Sequence, residues 1–504
     1  MTCASAKIGH FLMVSCIDRL SLPVFLCPQG GRQGKERFMN EKKTVIGQAA
    51  VTDARTLGLP RMLLLGLQHL FAMFGATVLV PILVQGYGLP LSIQTTLFFA
   101  GVGTLFFHVC TKMKVPAFLG SSFAFLGGFF TMANMNSGIY ADMAASEKLQ
   151  YACGGLVVAG LLYVLLAAVV KAVGIMTVMH YLPPVVTGPI IILIGLNLAP
   201  SAVNNAKTCW WLALVAMGII IAANIWGKGM IKIVPILLGV VGAYAVAVVA
   251  NLFGATAVSA SGEVVPLIDF SGVLAAKPVG LQPFLTNLSG SMAKFDLSAV
   301  LVMAPIAIAS MMEHIGDMSA ISATVGENFI TDPGLHRTLI GDGIATSLAG
   351  FFGGPSNTTY GENTGVLVLS KVYDPRVIRL AAVYAVILSF SPAFAALVNS
   401  LPAAIVGGIS FILYGMISAI GVRNIVENRV DFTNSRNLII AAVILVSGLG
   451  FTDGLTFQIG GASLTLTSLS IAALAGIALN ALLPGNDFQY GSSPADDTAS
   501  LGKY

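Results

Sequence analysis

The segment MMEHIGDM sets two carboxylic acids, Glu313 and Asp317, one helical turn apart, and SNTTYGENTGVLVLSK, from Ser356 to Lys371, sets a third, Glu362, beside an asparagine. At i,i+4 spacing Glu313 and Asp317 share one helix face, whereas His314 stands about 100° round the helix and points elsewhere. Two carboxyls held close together away from water resist being ionised at the same time, so one of them is expected to exchange a proton. His69, in LQHLFAMFGATVLVP, reads either as a partner of a ligand site or as a satisfied core histidine. Asp342 lies between two glycines, and His108 reads as structural. Other chemistry has no motif to carry it. There is no GxxxxGK[ST] for nucleotide-driven pumping and no HExxH or GxSxG for hydrolysis. The six cysteines form no CxxC or Cys/His metal spacing, so neither catalytic nor metal-ligating residues are expected.

The elements that must position these acids are membrane spans. The chain has 504 residues, 56% hydrophobic and only 10% charged, where a soluble domain carries about 25% charged residues. Between Arg379 and Arg423 no Asp, Glu, Lys or Arg occurs, enough chain for two bilayer crossings of about 20 residues each, joined near Asn399, Ser400 and Pro402. The same reading places spans near 62–85, 92–111, 116–135, 150–171, 182–201, 209–227, 233–254, 295–318, 338–354, 356–370, 377–398, 402–421, 437–452 and 464–484. An acid at the bilayer centre costs ~2.5–3.5 kcal/mol even on the lenient insertion scale, so Glu313, Asp317 and Glu362 are functional candidates by default.

With the amino terminus inside, the loops after the first span that face the cytoplasm hold Lys112, Lys114, Lys171, Lys228, Lys232, Arg337, Lys371, Arg376, Arg379, Arg423, Arg429, Arg436 and Lys503. The opposite loops hold only Lys148, Lys207, Lys277 and Lys294, which puts both termini in the cytoplasm by the positive-inside rule. The basic residues are thus topology signals, and no nucleic-acid partner is expected. Residues 1–38 fit poorly: GHFLMVS and LSLPVFL lack the continuous core and cleavage site of a secretory signal. Met39 is the expected true start.

Two halves repeat. LPPVVTGPI from Leu182 answers LPAAIVGGI from Leu401, GVG at Gly101 answers GDG at Gly341, and PAFLGSSFAF at Pro116 answers PSNTTYGEN at Pro355. Each half holds an odd number of spans, so the second is inverted relative to the first, an arrangement typical of secondary transporters with a midplane site between discontinuous elements. The runs after Pro116 and Pro355 are the expected broken elements, since irregular backbone at that depth must line a cavity or be buried in protein. Their free N–H groups and helix N-termini would point at a ligand.

The stretches LGLQHLFAMFGATVLVPIL, VPAFLGSSFAFLGG, MMEHIGDM, DPGLHR, GFFGGPSNTTYGENTGVLVLSKVY and LPAAIVGGISFILYG closely resemble the nucleobase-ascorbate transporter family, in particular its bacterial uracil:proton symporters. The similarity runs from about Leu57 to Leu483. It implies an all-α polytopic membrane protein of 14 spans in two inverted repeats of seven, with spans 3 and 10 half strand and half helix. It implies a core domain (57–175 and 295–400) and a gate domain (176–294 and 401–485), flanked by cytoplasmic segments 1–56 and 486–504. Homodimers in the bacterial cytoplasmic (inner) membrane are expected, with the lipid bilayer as surroundings, the proton as coupling ion and no other cofactor.

Carried over from the resemblance, Glu313 and Glu362 are the substrate-binding glutamates. Phe123 is the aromatic that meets the base, and Gly361 supplies a backbone N–H. Tyr360 and Tyr414 are residues near the pocket, and His69 is the polar histidine of span 1. Proton coupling falls to Glu313, Asp317 and His69. Uracil's two N–H donors suit carboxylates, its carbonyls suit backbone N–H groups, and its flat ring suits an aromatic face. Two positions depart from the uracil type: Asp317 stands where a histidine is usual, as in xanthine and urate members, and Ser370-Lys371 replaces Thr plus a basic residue. Glu362 is of the uracil type. The expected function is uracil:proton symport by alternating access. A xanthine or other purine symporter is the runner-up, and an anion transporter or channel of related inverted-repeat architecture comes second.

Overall fold

The computed structural model describes residues 50–485 apart from 137, 259–262, 282–289, 291, 453, 460 and 461. The expectations about residues 1–38, Met39 and the 486–504 tail lie outside the described residues. Long uncharged stretches become long helices because only a helix satisfies its own backbone in an apolar surround. Seven helical stretches among the described residues are long and apolar enough to cross a membrane: Leu59–Gly86 (α1), Ile93–Cys110 (α2), Ala145–Val173, Pro184–Ala206, Pro235–Leu252, Leu297–Val325 and Ala403–Glu427. Trp210–Ile225, Ser435–Gly450 and Ser468–Leu482 are shorter apolar helices. On Ala145–Val173, Leu161, Leu165 and Val169 form an exposed apolar stripe at helical spacing, as a lipid-facing side requires.

Prolines decide where spans break. The expected single span 377–398 is instead two helices, Pro375–Ser389 and Pro392–Asn399, meeting at 89°. Pro392 lacks the N–H that would continue the first helix, and the Ser391 hydroxyl caps the second by accepting from Phe394 N at 3.2 Å. The expected span 295–318 is interrupted at Pro305 between Leu297–Met303 and Ile306–Val325 (α3). The expected span 464–484 starts as a strand, Ala462–Leu466, and turns helical only from Ser468. An all-α description is therefore incomplete. Among the described residues there are three two-stranded antiparallel pairs, two of them hairpins between helices (Thr256–Val258 with Val264–Pro266, Leu455–Ile459 with Ala462–Leu466).

The third pair is central. Leu119–Ser121 (β1) runs antiparallel to Asn357–Thr359 (β2) in the register Leu119↔Thr359, Gly120↔Thr358, Ser121↔Asn357. Each strand leads into a short helix, Leu126–Asn134 (α4) and Gly361–Ser370 (α5). The segments that repeat in sequence are neighbours in space. A Cβ on Gly195 of Pro184–Ala206 would lie 2.2 Å from Tyr414 O, and one on Gly421 would lie 2.7 Å from Gly188 O, so that helix and Ala403–Glu427 cross antiparallel at near backbone contact. Leu335–Phe351 (α6) crosses Ala145–Val173 in the same manner, a Cβ on Gly160 lying 2.3 Å from Gly343 O.

Residues ahead of the first span tie down the far end of α5. Val51 bridges Val372, and the Asp374 carboxylate accepts from Ala54 N at 2.7 Å. Arg376 pairs with both Asp374 and Asp53, at 3.0 and 3.1 Å.

Candidate functional site

The crossing of β1 and β2 exists because each strand finds an acceptor on a neighbouring helix. Leu119 N donates to Thr104 Oγ1 of α2 at 2.8 Å, and Asn357 N donates to Thr346 Oγ1 of α6 at 3.1 Å. These threonines lie in the GVGTL and GDGIAT stretches, so each strand finds a threonine acceptor on the helix that precedes it, though not at the same position of the repeat. A two-stranded pair alone is too small to be stable; here both strands are buried along their whole length. Tyr360 closes the crossing. Its ring covers Gly120, where a Cβ would lie 2.2 Å from the ring, and its hydroxyl donates to Ser121 O at 2.9 Å. Tyr360 is only 4% exposed, which makes it a pin of the crossing.

Around this crossing the acids gather. Glu313 and Asp317, both half-buried, face it from α3, and the half-buried Glu362 lies in the first turn of α5. The Asp317 carboxylate accepts from Thr359 Oγ1 at 2.8 Å. Its other oxygen lies 3.9 Å from where a Cβ on Gly361 would be. Glu313 Oε2 is buried without a hydrogen-bond partner. Such an oxygen in a native site calls for an explanation, and a ligand donor supplies one. Asp317, Glu362 and Asp342 all lie within electrostatic range of Glu313. Phe123, at the foot of α4, is 6% exposed, and its ring meets that of Tyr414 edge-on, 6.0 Å between centroids. The N-termini of α4 and α5 both begin next to this crossing.

His69 is fully buried and lies behind the crossing. Its Nδ1 is 3.2 Å from Asn363 Nδ2, which also donates to His69 O at 3.0 Å. His314 turns away from Glu313, as its helical position implied, and its Nδ1 meets Asp342 Oδ2 at 2.8 Å with both side chains 0% exposed. The short sequence pattern around Asp342 gave no sign of that partner. Thr359, Thr104, Thr346, Asn357 and Asn363 were also missed as individual residues; the available signal was polar side chains inside otherwise apolar spans. His108 bonds Ala117 O at 2.9 Å and is structural. Among the described residues no cluster of three or more His, Cys, Asp or Glu could hold a metal ion.

A cavity of about 1240 Å³ reaches Phe123 from one side of the molecule, lined by Tyr87, Phe130, Asn134, Asn197 and Ser468 among others. Among the described residues that line it there is no Asp, Glu, Lys, Arg or His.

Paired half-helices around a buried acidic crossing, in a chain of long apolar helices, define a membrane transporter. Residues 60–456 match Xan_ur_permease, described as a permease family. The uracil permease of Bacillus caldolyticus is 39% identical over 86% of this chain and 94% of its own length. The putative pyrimidine permease RutG of Escherichia coli K12 is 36% identical over 88% of this chain and 94% of its own. Among solved structures, the transmembrane domain of the cyanobacterial bicarbonate transporter BicA shares the fold, with a TM-score of 0.56 at 15% identity, covering 86% of this chain and 99% of that one. The chain belongs to the Xan_ur_permease family and is a multi-pass membrane permease, a transporter rather than an enzyme.

Proposed function

We propose that this permease transports a nucleobase, and specifically that it imports uracil together with protons by alternating access. The observation that carries the reading is the set of Glu313, Asp317 and Glu362 gathered at the β1/β2 crossing, with Phe123 beside them and a half-helix starting on either side. Two carboxyl groups, on Glu313 and Glu362, offer acceptors for the two N–H donors of uracil. Backbone N–H groups at Gly361 and near Phe123 face its carbonyls, and the Phe123 ring covers its plane. Relatives named uracil permease and pyrimidine permease support a pyrimidine base. A site that pairs every donor and acceptor of its ligand rejects rings that leave one unpaired.

Coupling follows from charge. A carboxyl that stays charged in an apolar crossing is costly unless paired, so proton uptake at Glu313 or Asp317 and base binding favour each other. The Asp317 carboxylate, held by Thr359, stands where an imidazole is usual and takes the role of proton partner to Glu313. His69 supports the site through Asn363. Movement of a core domain (57–175 and 295–400) against a gate domain (176–294 and 401–485) then exposes the site to the other side. The antiparallel crossing of the repeat-related helices Pro184–Ala206 and Ala403–Glu427, and the antiparallel pairing of β1 with β2, support 14 spans in two inverted repeats. The reading further places a homodimer in the bacterial cytoplasmic (inner) membrane with both termini inside. Asp317 favours the xanthine alternative, because it matches the xanthine type. Uptake of labelled uracil into proteoliposomes, competed by unlabelled uracil and by xanthine, separates the two: uracil is expected to compete and xanthine to compete poorly. Stronger competition by xanthine would reverse the assignment.

A further inference from the structure

The five elements that form the crossing, β1, α4, α3, β2 and α5, contain Glu313, Asp317 and Glu362 but no Lys or Arg. Their one histidine, His314, is turned to Asp342. Among the described residues that line the cavity leading to Phe123 there is no Lys or Arg to draw in an anion. Against these acids stand two half-helix N-termini. A helix N-terminus carries about half an elementary positive charge, so the pair amounts to about one, and such ends bind anions readily. The same fold serves a protein described as a bicarbonate transporter. Here the carboxyls oppose the helix ends. With one carboxyl ionised the crossing is close to neutral, and with two or three it is negative.

We propose that the carboxyls of Glu313, Asp317 and Glu362 cancel an anion-binding tendency built into the paired half-helices, so that the site accepts its ligand only as an uncharged ring and an anionic ring becomes acceptable once one carboxyl is removed. The inference deepens the nucleobase reading and rests on it. A deprotonated ring loses an N–H donor to a carboxylate and sets its own charge against that carboxylate. No Lys or Arg on the five elements of the crossing compensates.

The test uses the purified full-length protein with uracil and 5-nitrouracil as probes. The nitro group makes the ring N–H of 5-nitrouracil ionise toward the acid end of the range used, whereas uracil stays uncharged across it. Displacement constants of both against labelled uracil are measured between about pH 5 and pH 8 and expressed as a ratio. Titration of Glu313, Asp317, Glu362, His69, Tyr414 or the His314–Asp342 pair acts alike on the uncharged form of both probes and cancels there, so a slope in the ratio reports the anionic form of the analogue. The ratio is expected to rise about tenfold per pH unit once the analogue ionises, because only its neutral fraction binds, and to flatten in Glu362→Gln or Glu313→Gln. A constant ratio in the unaltered protein, with uracil binding intact, overturns the inference alone. A steep ratio retained by both variants places the rejection elsewhere and overturns the charge balance. Absence of uracil binding to the unaltered protein overturns the nucleobase reading and the inference with it; a variant that no longer holds labelled uracil is read by direct binding of 5-nitrouracil, whose affinity is expected not to fall as the ring ionises, and a fall of about tenfold per pH unit there overturns the charge balance.

Discussion

The two strand-then-helix elements that cross at the centre differ in what they carry. Leu119 to Asn134 contains no ionisable side chain; it brings glycines, serines and the ring of Phe123. Asn357 to Ser370 contains Tyr360 and Glu362, and its Thr359 holds the Asp317 carboxylate at 2.8 Å. Both are received by a threonine on a neighbouring helix and both are buried. A repeated backbone thus supplies the geometry twice, while the charged chemistry is placed once. On the proposed reading this is a division of labour: the first element would shape the ring's surroundings and the second, with α3, would handle protons and donors.

The largest test of that division is at the ligand. Glu362→Gln is expected to lower uracil uptake by roughly a hundredfold or more, the scale on which a site built for hydrogen bonds discriminates. Phe123→Leu keeps apolar volume but loses the ring face and is expected to weaken binding by about tenfold or less. Initial rates of uptake in proteoliposomes compare the two, and equal losses would erase the distinction. Next in size, Gly120→Ala puts a methyl group against the Tyr360 ring, and overpacking of this kind costs about 1–3 kcal/mol. Gly127, on the same element, has nothing within 4 Å of its Cβ position. A fall in thermal stability for Gly120→Ala but not Gly127→Ala locates the tight fit at the crossing, and equal falls would deny it.

Thr104→Val and Thr346→Val each leave one buried strand N–H without its acceptor, at a cost of about 1–3 kcal/mol. Similar losses of stability are expected from both, since each removes the acceptor of one buried strand N–H. A loss confined to one would show that the halves are not equivalent. Smallest of all is the segment outside the membrane. Hydrogen bonds from Arg55 hold the Asp53 carboxyl down at about 2. A carboxyl so lowered contributes above its ordinary value and loses that contribution only as pH falls toward about 2. Asp53→Asn should therefore leave the shape of the uptake profile between about pH 5 and pH 8 unchanged. A shifted profile would tie this segment to proton handling.

How far the chain could be read differs by region for physical reasons. Helices of Leu59–Gly86 or Ala403–Glu427 follow from unbroken apolar composition, and the broken elements after Pro116 and Pro355 stood out because Gly, Ser, Thr and Asn cannot face lipid unpaired. Glu313, Asp317 and Glu362 were visible for the same reason, as acids where none should be. The 89° bend before Pro392 was missed because proline also occurs in continuous spans, where neighbouring groups satisfy the freed carbonyl. The pairing of His314 with Asp342 and of Thr359 with Asp317 depends on which helices meet, and no local pattern records that.

The central claim is that carboxyls at one crossing take up protons while holding a base. Labelled uracil uptake into proteoliposomes, with the interior either at the external pH or made more alkaline and the membrane potential clamped, measures this directly. The account predicts accumulation above the external concentration only with the gradient, abolished by a protonophore and absent in Glu313→Gln. Equal accumulation without a gradient, or accumulation driven by Na⁺ alone, would contradict it.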